Sequence, residues 1–335
     1  MLKNFKKTGM KETGILLVAF LLTLASNVEA GDTLKLNPKT RISFGLSAWI
    51  SSGQTDLNHD ASLTSVLLGN PTSELIYEDI DSNIIQLEVE LKFSEGYYLR
   101  GNYGFGFIGD GQLIDDDYLS PTGALIFSTN ERFSRTHSNI DNDNVWYLNI
   151  DVGRQIIKSR RGRVWGFIGY QHWAEKISAR GITMIECPNI ILCDPPGTIS
   201  NEDENVIAND ASWNSLKVGL DLEYKINRSI SFSGRFAYIP YAFLKNEDVH
   251  YLRTDLQQNP SFEMKGNGSG YNLEVAAKTR VVGSLYFEVG FRYWHLMVKD
   301  GDWKNNPVSG DNKIANLNDF NSDRFGAMLG LSYKF

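Results

Sequence analysis

The sequence predicts an all-β protein: a ten-stranded antiparallel transmembrane β-barrel with long extracellular loops and short periplasmic turns. Three observations carry that prediction. Apolar and polar residues alternate with period two in ten stretches, most cleanly in the last, where Phe325, Ala327, Leu329, Leu331, Tyr333 and Phe335 share one face and Gly326, Gly330, Ser332 and Lys334 the other. No segment reaches the roughly 18 consecutive apolar residues of a membrane-crossing helix, so only a barrel would place this chain in a bilayer. The connections alternate between short and long, as in bacterial outer-membrane barrels.

From the start of the chain, Lys3, Lys6, Lys7 and Lys11 precede an apolar run from Gly14 to Ala25, and Val28-Glu29-Ala30 precede Gly31. This is the pattern of a secretory signal peptide over residues 1–30, leaving a single barrel domain over 31–335. The leader holds four Lys and two Glu, so its loss moves the formal charge from −7 to −9. An acidic mature chain disfavours nucleic acid and favours cationic partners. Cys187 and Cys193 stand in IECPNIILCDPPG, with no His or third Cys nearby. In an exported protein the expectation is a small disulfide-closed loop and no metal site.

The expected strands are 40–50, 82–93, 97–109, 144–156, 164–182, 211–226, 229–246, 270–282, 284–300 and 323–335. In the ninth, Leu285, Phe287, Val289, Phe291 and Tyr293 face one way, and Glu288, Gly290 and Arg292 the other. Charges facing inward suit a polar lumen. Trp49, Tyr97, Tyr98, Trp146, Trp165, Tyr238 and Tyr333 fall near strand ends, where amphipathic rings suit the membrane interface. Short turns fall at Ser94-Glu95-Gly96, in the basic Lys158–Arg163, at Asn227-Arg228 and at Gly283, and are assigned to the periplasm. The intervening 51–81, 110–143, 183–210, 247–269 and 301–322 are read as extracellular loops.

Two polar pairs sit on that outer side: Asp115 and Asp117 in LIDDDYL, and Asp248 and His250 in NEDVH. Residues two apart share a face of extended backbone. A His hydrogen-bonded to a carboxylate is a general base, and two adjacent carboxylates share a proton and hold a water. That is sufficient chemistry for peptide hydrolysis. Solvated loop acids are the plain alternative, and calcium another, although the spacing is not that of an EF-hand. Counting by twos from Phe107 and Phe236 turns all four side chains outward, so hydrolysis requires a register break before each pair. Gly109-Asp110-Gly111 and Pro240 are the expected places.

Four ordered motifs resemble the omptins, a family of ten-stranded outer-membrane proteases. LIDDDYL resembles the family's acid-pair segment, FSRTHSNIDNDN with WYLNIDVG the loop and strand that follow, GYQHWAEKISARG the fifth strand, and GRFAY with NEDVHY the strand and loop holding the family's Asp and His. The resemblance implies an aspartyl endopeptidase of the cell surface, without metal or covalent intermediate. In it His250, oriented by Asp248, activates a water that Asp115 and Asp117 position. It implies substrate contacts at Glu74, Asn246, Ser134 and His137, with cationic peptides or proteins as partners. Asn246 is neutral where the family has an acid, so a strict preference for basic residues is not implied. Asp79, Asp81, Asp110 and Asp116 would still steer cations. The family holds lipopolysaccharide with basic residues, but Ala174 and Ser212 stand at those positions and only Tyr170 remains. Dependence on that lipid is left open. Two other readings stand beside the protease: an omptin-fold barrel serving adhesion or surface structure, and a small porin, which inward Arg235, Glu288 and Arg292 oppose by plugging the lumen.

Overall fold

Alternation becomes a closed wall in the computed structural model, which describes residues 40–140 and 143–335. The expected leader lies outside the described residues. The strands are β1 (Arg41–Asp60), β2 (Leu68–Lys92), β3 (Tyr97–Leu119), β4 (Arg132–Ile140), β5 (Asp143–Lys158), β6 (Gly162–Glu186), β7 (Ile199–Lys225), β8 (Ile230–His250), β9 (Phe262–Val282), β10 (Leu285–Asn305) and β11 (Ile314–Lys334). A short helix, α1 (Pro121–Ile126), follows β3. Each strand pairs antiparallel with its neighbours, and β1, flanked by β2 and β11, closes the ring. β4 pairs with Gly111–Tyr118 of β3, whereas β5 pairs with Tyr97–Ile108 of the same strand. The two therefore occupy one position in the wall, and eleven segments make the ten positions the sequence predicts.

The strands are far longer than a bilayer demands. β2 and β6 run 25 residues and β7 runs 27, whereas roughly 9–11 residues cross a membrane. The outward apolar band is confined to the half holding the short turns. It includes Leu46 and Ile50 of β1, Phe105 and Phe107 of β3, Phe236 and Tyr238 of β8, and Phe325, Leu329, Leu331 and Tyr333 of β11, all 39–64 % exposed. Such a surface suits hydrocarbon and little else. The other half stands outside the membrane, and it corrects the expected long loops. Most of 51–81, 110–143, 183–210, 247–269 and 301–322 is strand. Above the lipid the outer face is wetted, so apolar-out alternation stops while the ladder continues.

The interior is filled in layers. In the membrane half, Arg235 bridges Asp151 (2.5 Å) and Asp221 (3.0 Å), Lys217 meets Asp151 (3.1 Å), and Arg292 meets Glu274 (2.8 Å). Above them lies an aromatic layer of Trp49, Tyr147, Trp173 and Trp294, with ring centroids 4.8–6.3 Å apart. The Arg292 guanidinium sits 5.0 Å from the Trp49 ring. One level higher, Arg324 binds Glu175 at 2.6 Å with both side chains almost completely buried. Leu57, Leu75, Tyr77, Leu113, Leu244, Met264 and Phe320 continue the core toward the outer mouth.

Candidate active site

Both required register breaks are present. In β3, Ile108 is buried and Phe107 is 64 % exposed, yet beyond Gly111 it is the odd-numbered Leu113 that is buried. The ladder to β2 runs Ser82↔Ile108, Asp81↔Asp110, Glu78↔Gln112, which leaves Asp79, Ile80, Gly109 and Gly111 out of pairing. Asp79 takes a left-handed φ of 52° there. In β8, Ala237 and Ile239 face in, Tyr238 and Tyr241 face out, and Ala242 and Leu244 face in again. The pairing with β7 slips between Val218↔Tyr238 and Leu216↔Tyr241. Pro240, which has no N–H to offer a ladder, occupies that slip.

The shifts turn Asp115 and Asp117 inward from β3, and Asn246, Asp248 and His250 inward from β8. In the ring, β3 and β8 are separated by β4/β5, β6 and β7 on one side and by five strands on the other, so the two groups face each other across the mouth. His250 Nε2 lies 3.0 Å from Asp248 Oδ2. The imidazole packs edge-on against Phe262 at 4.9 Å, and its backbone N–H donates to Ser261 Oγ at 3.0 Å. On the other wall Ser73 Oγ donates to Asp115 Oδ1 at 3.4 Å, and Ser134 pairs in register with Asp117. Asp248 Oδ1, Asn246 Oδ1, Tyr77 Oη and both amide atoms of Asn209 are buried without a hydrogen-bond partner in the protein.

Burial and the Asp117 charge push the Asp115 carboxyl up to about 8, against the pull of His250. Burial raises Asp117 to about 6. Burial acts to lower His250, but the charge and hydrogen bond of Asp248 outweigh it and leave the imidazole more basic than usual. His59 on β1 lies stacked on Trp303 at 4.2 Å, held down to about 4 by burial and by the His250 charge. The mouth therefore holds a proton shared among acids on one side, an oriented base on the other, and a neutral imidazole nearby.

The remaining expected contacts divide by strand parity. Ser134 faces the interior. Glu74 does not: Leu75 and Tyr77 point inward, so Glu74 points out, opposite Asp116, where Tyr118 Oη donates to Glu74 at 3.3 Å. Asp116 is closed off there by Arg135 at 2.5 Å. His137 likewise turns out, 3.1 Å from Gln112 Nε2. Asn246 lies on the inner face beneath Asp248, with Nδ2 3.5 Å from Met264 Sδ. Ala174 and Ser212 form a register pair, and Tyr170 Oη donates to Asn214 Oδ1 at 2.5 Å. Cys187 and Cys193 form a disulfide in the loop after β6. Among the described residues, no three His, Cys, Asp or Glu converge in a way that would hold a metal. Sequence reasoning missed Ser73, Tyr77, His59, Phe262 and Trp303. All but Trp303 and Phe262 fall in the 51–81 run read as a loop, where apolar-out alternation is lost although the strands continue.

A sequence-family profile described as "Pom: Protochlamydia outer membrane protein" matches residues 56–335. No curated protein matches the chain significantly. Among solved structures, the outer membrane protease OmpT from Escherichia coli aligns with a TM-score of 0.72 at 15 % identity, covering 91 % of this chain and 99 % of that one. The translocator domain of the autotransporter NalP from Neisseria meningitidis covers 96 % of both chains at 8 % identity, but with a TM-score of 0.36 it carries no argument. An identity of 15 % establishes a shared barrel, not a shared reaction.

Proposed function

The chain belongs to the Protochlamydia outer membrane protein family, a description that names no reaction, and from the geometry of its outer mouth we propose that this omptin-like barrel is a surface endopeptidase of the bacterial outer membrane, its site opening to the outside. The observation that carries the reading is the Asp248–His250 hydrogen bond, turned by a register break toward an acid pair that a second, independent break turns to meet it.

In the mechanism, Nε2–H of His250 donates to Asp248, which leaves the Nδ1 lone pair to take a proton from water. The resulting hydroxide attacks the peptide carbonyl carbon. Asp115, kept protonated at neutral pH, donates a hydrogen bond to the oxyanion, and ionised Asp117 holds the water. Imidazolium then returns its proton to the departing amine as the C–N bond breaks. Ser73 keeps Asp115 in place. With Glu74 turned outward and Asn246 neutral, neither expected position supplies a carboxylate beneath Asp248. Attraction of cationic peptides then rests on the ionised Asp117 and Asp248 and on the acidic charge of the chain. The filled interior disfavours the porin alternative.

The test is cleavage of a quenched peptide with a dibasic centre by the refolded protein, with and without lipopolysaccharide. Wild type is expected to cleave, and Asp115→Ala and His250→Ala to lose at least about a hundredfold in kcat/KM. Equal cleavage by all three removes the site. An inactive, correctly folded wild type favours the adhesin or structural alternative.

A further inference from the structure

Three connections at the outer end are fastened into one platform. Residues 61–67 join β1 to β2, residues 120–131 with α1 join β3 to β4, and the disulfide loop Cys187–Cys193 lies between β6 and β7. The Ser120 N–H donates to the Leu67 carbonyl (2.9 Å), Ser120 Oγ to the Val66 carbonyl (2.6 Å), and Asn189 Nδ2 to the Phe127 carbonyl (2.6 Å). The side chains standing out of this platform are aliphatic: Leu63 92 % exposed, Val66 80 %, Leu125 80 %, Ile126 61 %, Ile190 70 % and Ile191 86 %. Segments 61–67, 120–130 and 187–193 contain no Asp, Glu, Lys, Arg or His. In a chain that is 22 % charged, several would be expected.

We propose that this platform docks on an apposed, electrically neutral lipid bilayer by inserting its aliphatic tips among the headgroups. Charge argues for the occupant. The tips carry none, while Asp60, Glu131 and Asp194 border them and Glu186 is paired with Arg132 at 2.7 Å, a net negative rim, so a zwitterionic surface is matched and an anionic one repelled. The six side chains, at roughly 100 Å² each, offer about 600 Å² of apolar surface for insertion. The protein's own membrane is out of reach, because β3 continues from Phe107 at the edge of the apolar band to Leu119, about 30 Å at strand rise and tilt. The disulfide and the cross-loop hydrogen bonds hold the tips in place before contact, which lowers the entropy lost on docking.

The experiment uses the full barrel in amphipol, mixed with phosphatidylcholine vesicles and floated on a density gradient. Co-flotation is expected, unchanged at about 0.5 M salt, and reduced at least about tenfold in Leu125→Asp/Ile191→Asp. Both sites are open to solvent, and retained resistance to unfolding in SDS verifies the fold. A tryptophan introduced by Leu125→Trp is expected to be quenched by brominated phosphatidylcholine, whereas one from Asn312→Trp is not. No flotation overturns the proposal, as does flotation only with phosphatidylserine vesicles that salt abolishes. Self-association without vesicles that the double variant abolishes assigns the platform to a second copy instead. None of these readouts depends on peptidase activity.

Discussion

The two halves of the barrel handle buried charges in different ways. In the membrane half, charges come in satisfied sets: Asp151 is shared by Arg235 and Lys217, and Arg292 is held by Glu274 and by Tyr147 Oη at 2.8 Å. In the outer half, Asp248 Oδ1, Asn246 Oδ1, Asn209 and Tyr77 Oη stay without partners, and an acid pair is forced together. The first arrangement is what stability selects, because an unpaired charge at bilayer depth is costly. The second is costly to folding and makes sense where another molecule supplies the missing contact. Neutral polar atoms lack partners in both halves, Gln171 Nε2, Ser215 Oγ and Asn272 Oδ1 among those in the membrane half, so the acids forced together, and not unmet polarity alone, set the outer half apart.

The contrast breaks most visibly at His250. His250→Ala is expected to lower kcat/KM of the folded protein by about 10²–10⁴. If activity persists, the outer half is not catalytic. The reciprocal change is Asp151→Ala, which strands Arg235 and Lys217 and is expected to cost about 3–5 kcal/mol of stability with kcat per folded molecule unaltered. Urea unfolding in detergent measures it, and a stable variant would refute the structural role of the lower ions.

The pH profile sharpens the comparison. Activity should rise as His250 loses its proton, above the ordinary imidazole value because its basicity is raised. It should fall as Asp115 ionises near 8. Stability has its own sign. The folded state favours protonated Asp115, so that contribution is complete below the ordinary value of 3.8 and lost as pH rises through about 8. Asp115→Asn should therefore be inactive yet less sensitive to denaturant at pH 8 than wild type. A variant that loses stability there contradicts the burial argument. Smaller still, Asn246→Asp should raise the preference for Arg or Lys at the cleaved bond by about tenfold, scored with matched neutral and basic peptides. Glu74→Gln should stay within about twofold, because that carboxylate faces away from the site.

The sequence made the membrane half legible and the outer half only partly so. Lipid imposes apolar-out alternation, which is why Phe287–Tyr293 and Phe325–Phe335 are readable as strands. Beyond the lipid nothing enforces that rule, so β1 past Ile50 and β2 before Ser82 read as loops although their ladders continue. The same loss of period hid His59 and Tyr77 and left Glu74 and His137 without a face. Asp115, Asp117, Asp248 and His250 were found because their spacing carries chemistry. Their inward aim was readable only through the local signs of interrupted pairing, glycine at 109 and 111 and proline at 240.

The ring layer of Trp49, Tyr147, Trp173 and Trp294 has a consequence for evolution. It is a bulkhead: everything above it can be rebuilt without opening a leak below. Mutations that widen the mouth, exchange Asn246 or lengthen a rim loop leave these four buried rings in place. A lineage can therefore explore new surface chemistries on this frame one residue at a time, with the membrane seal inherited intact.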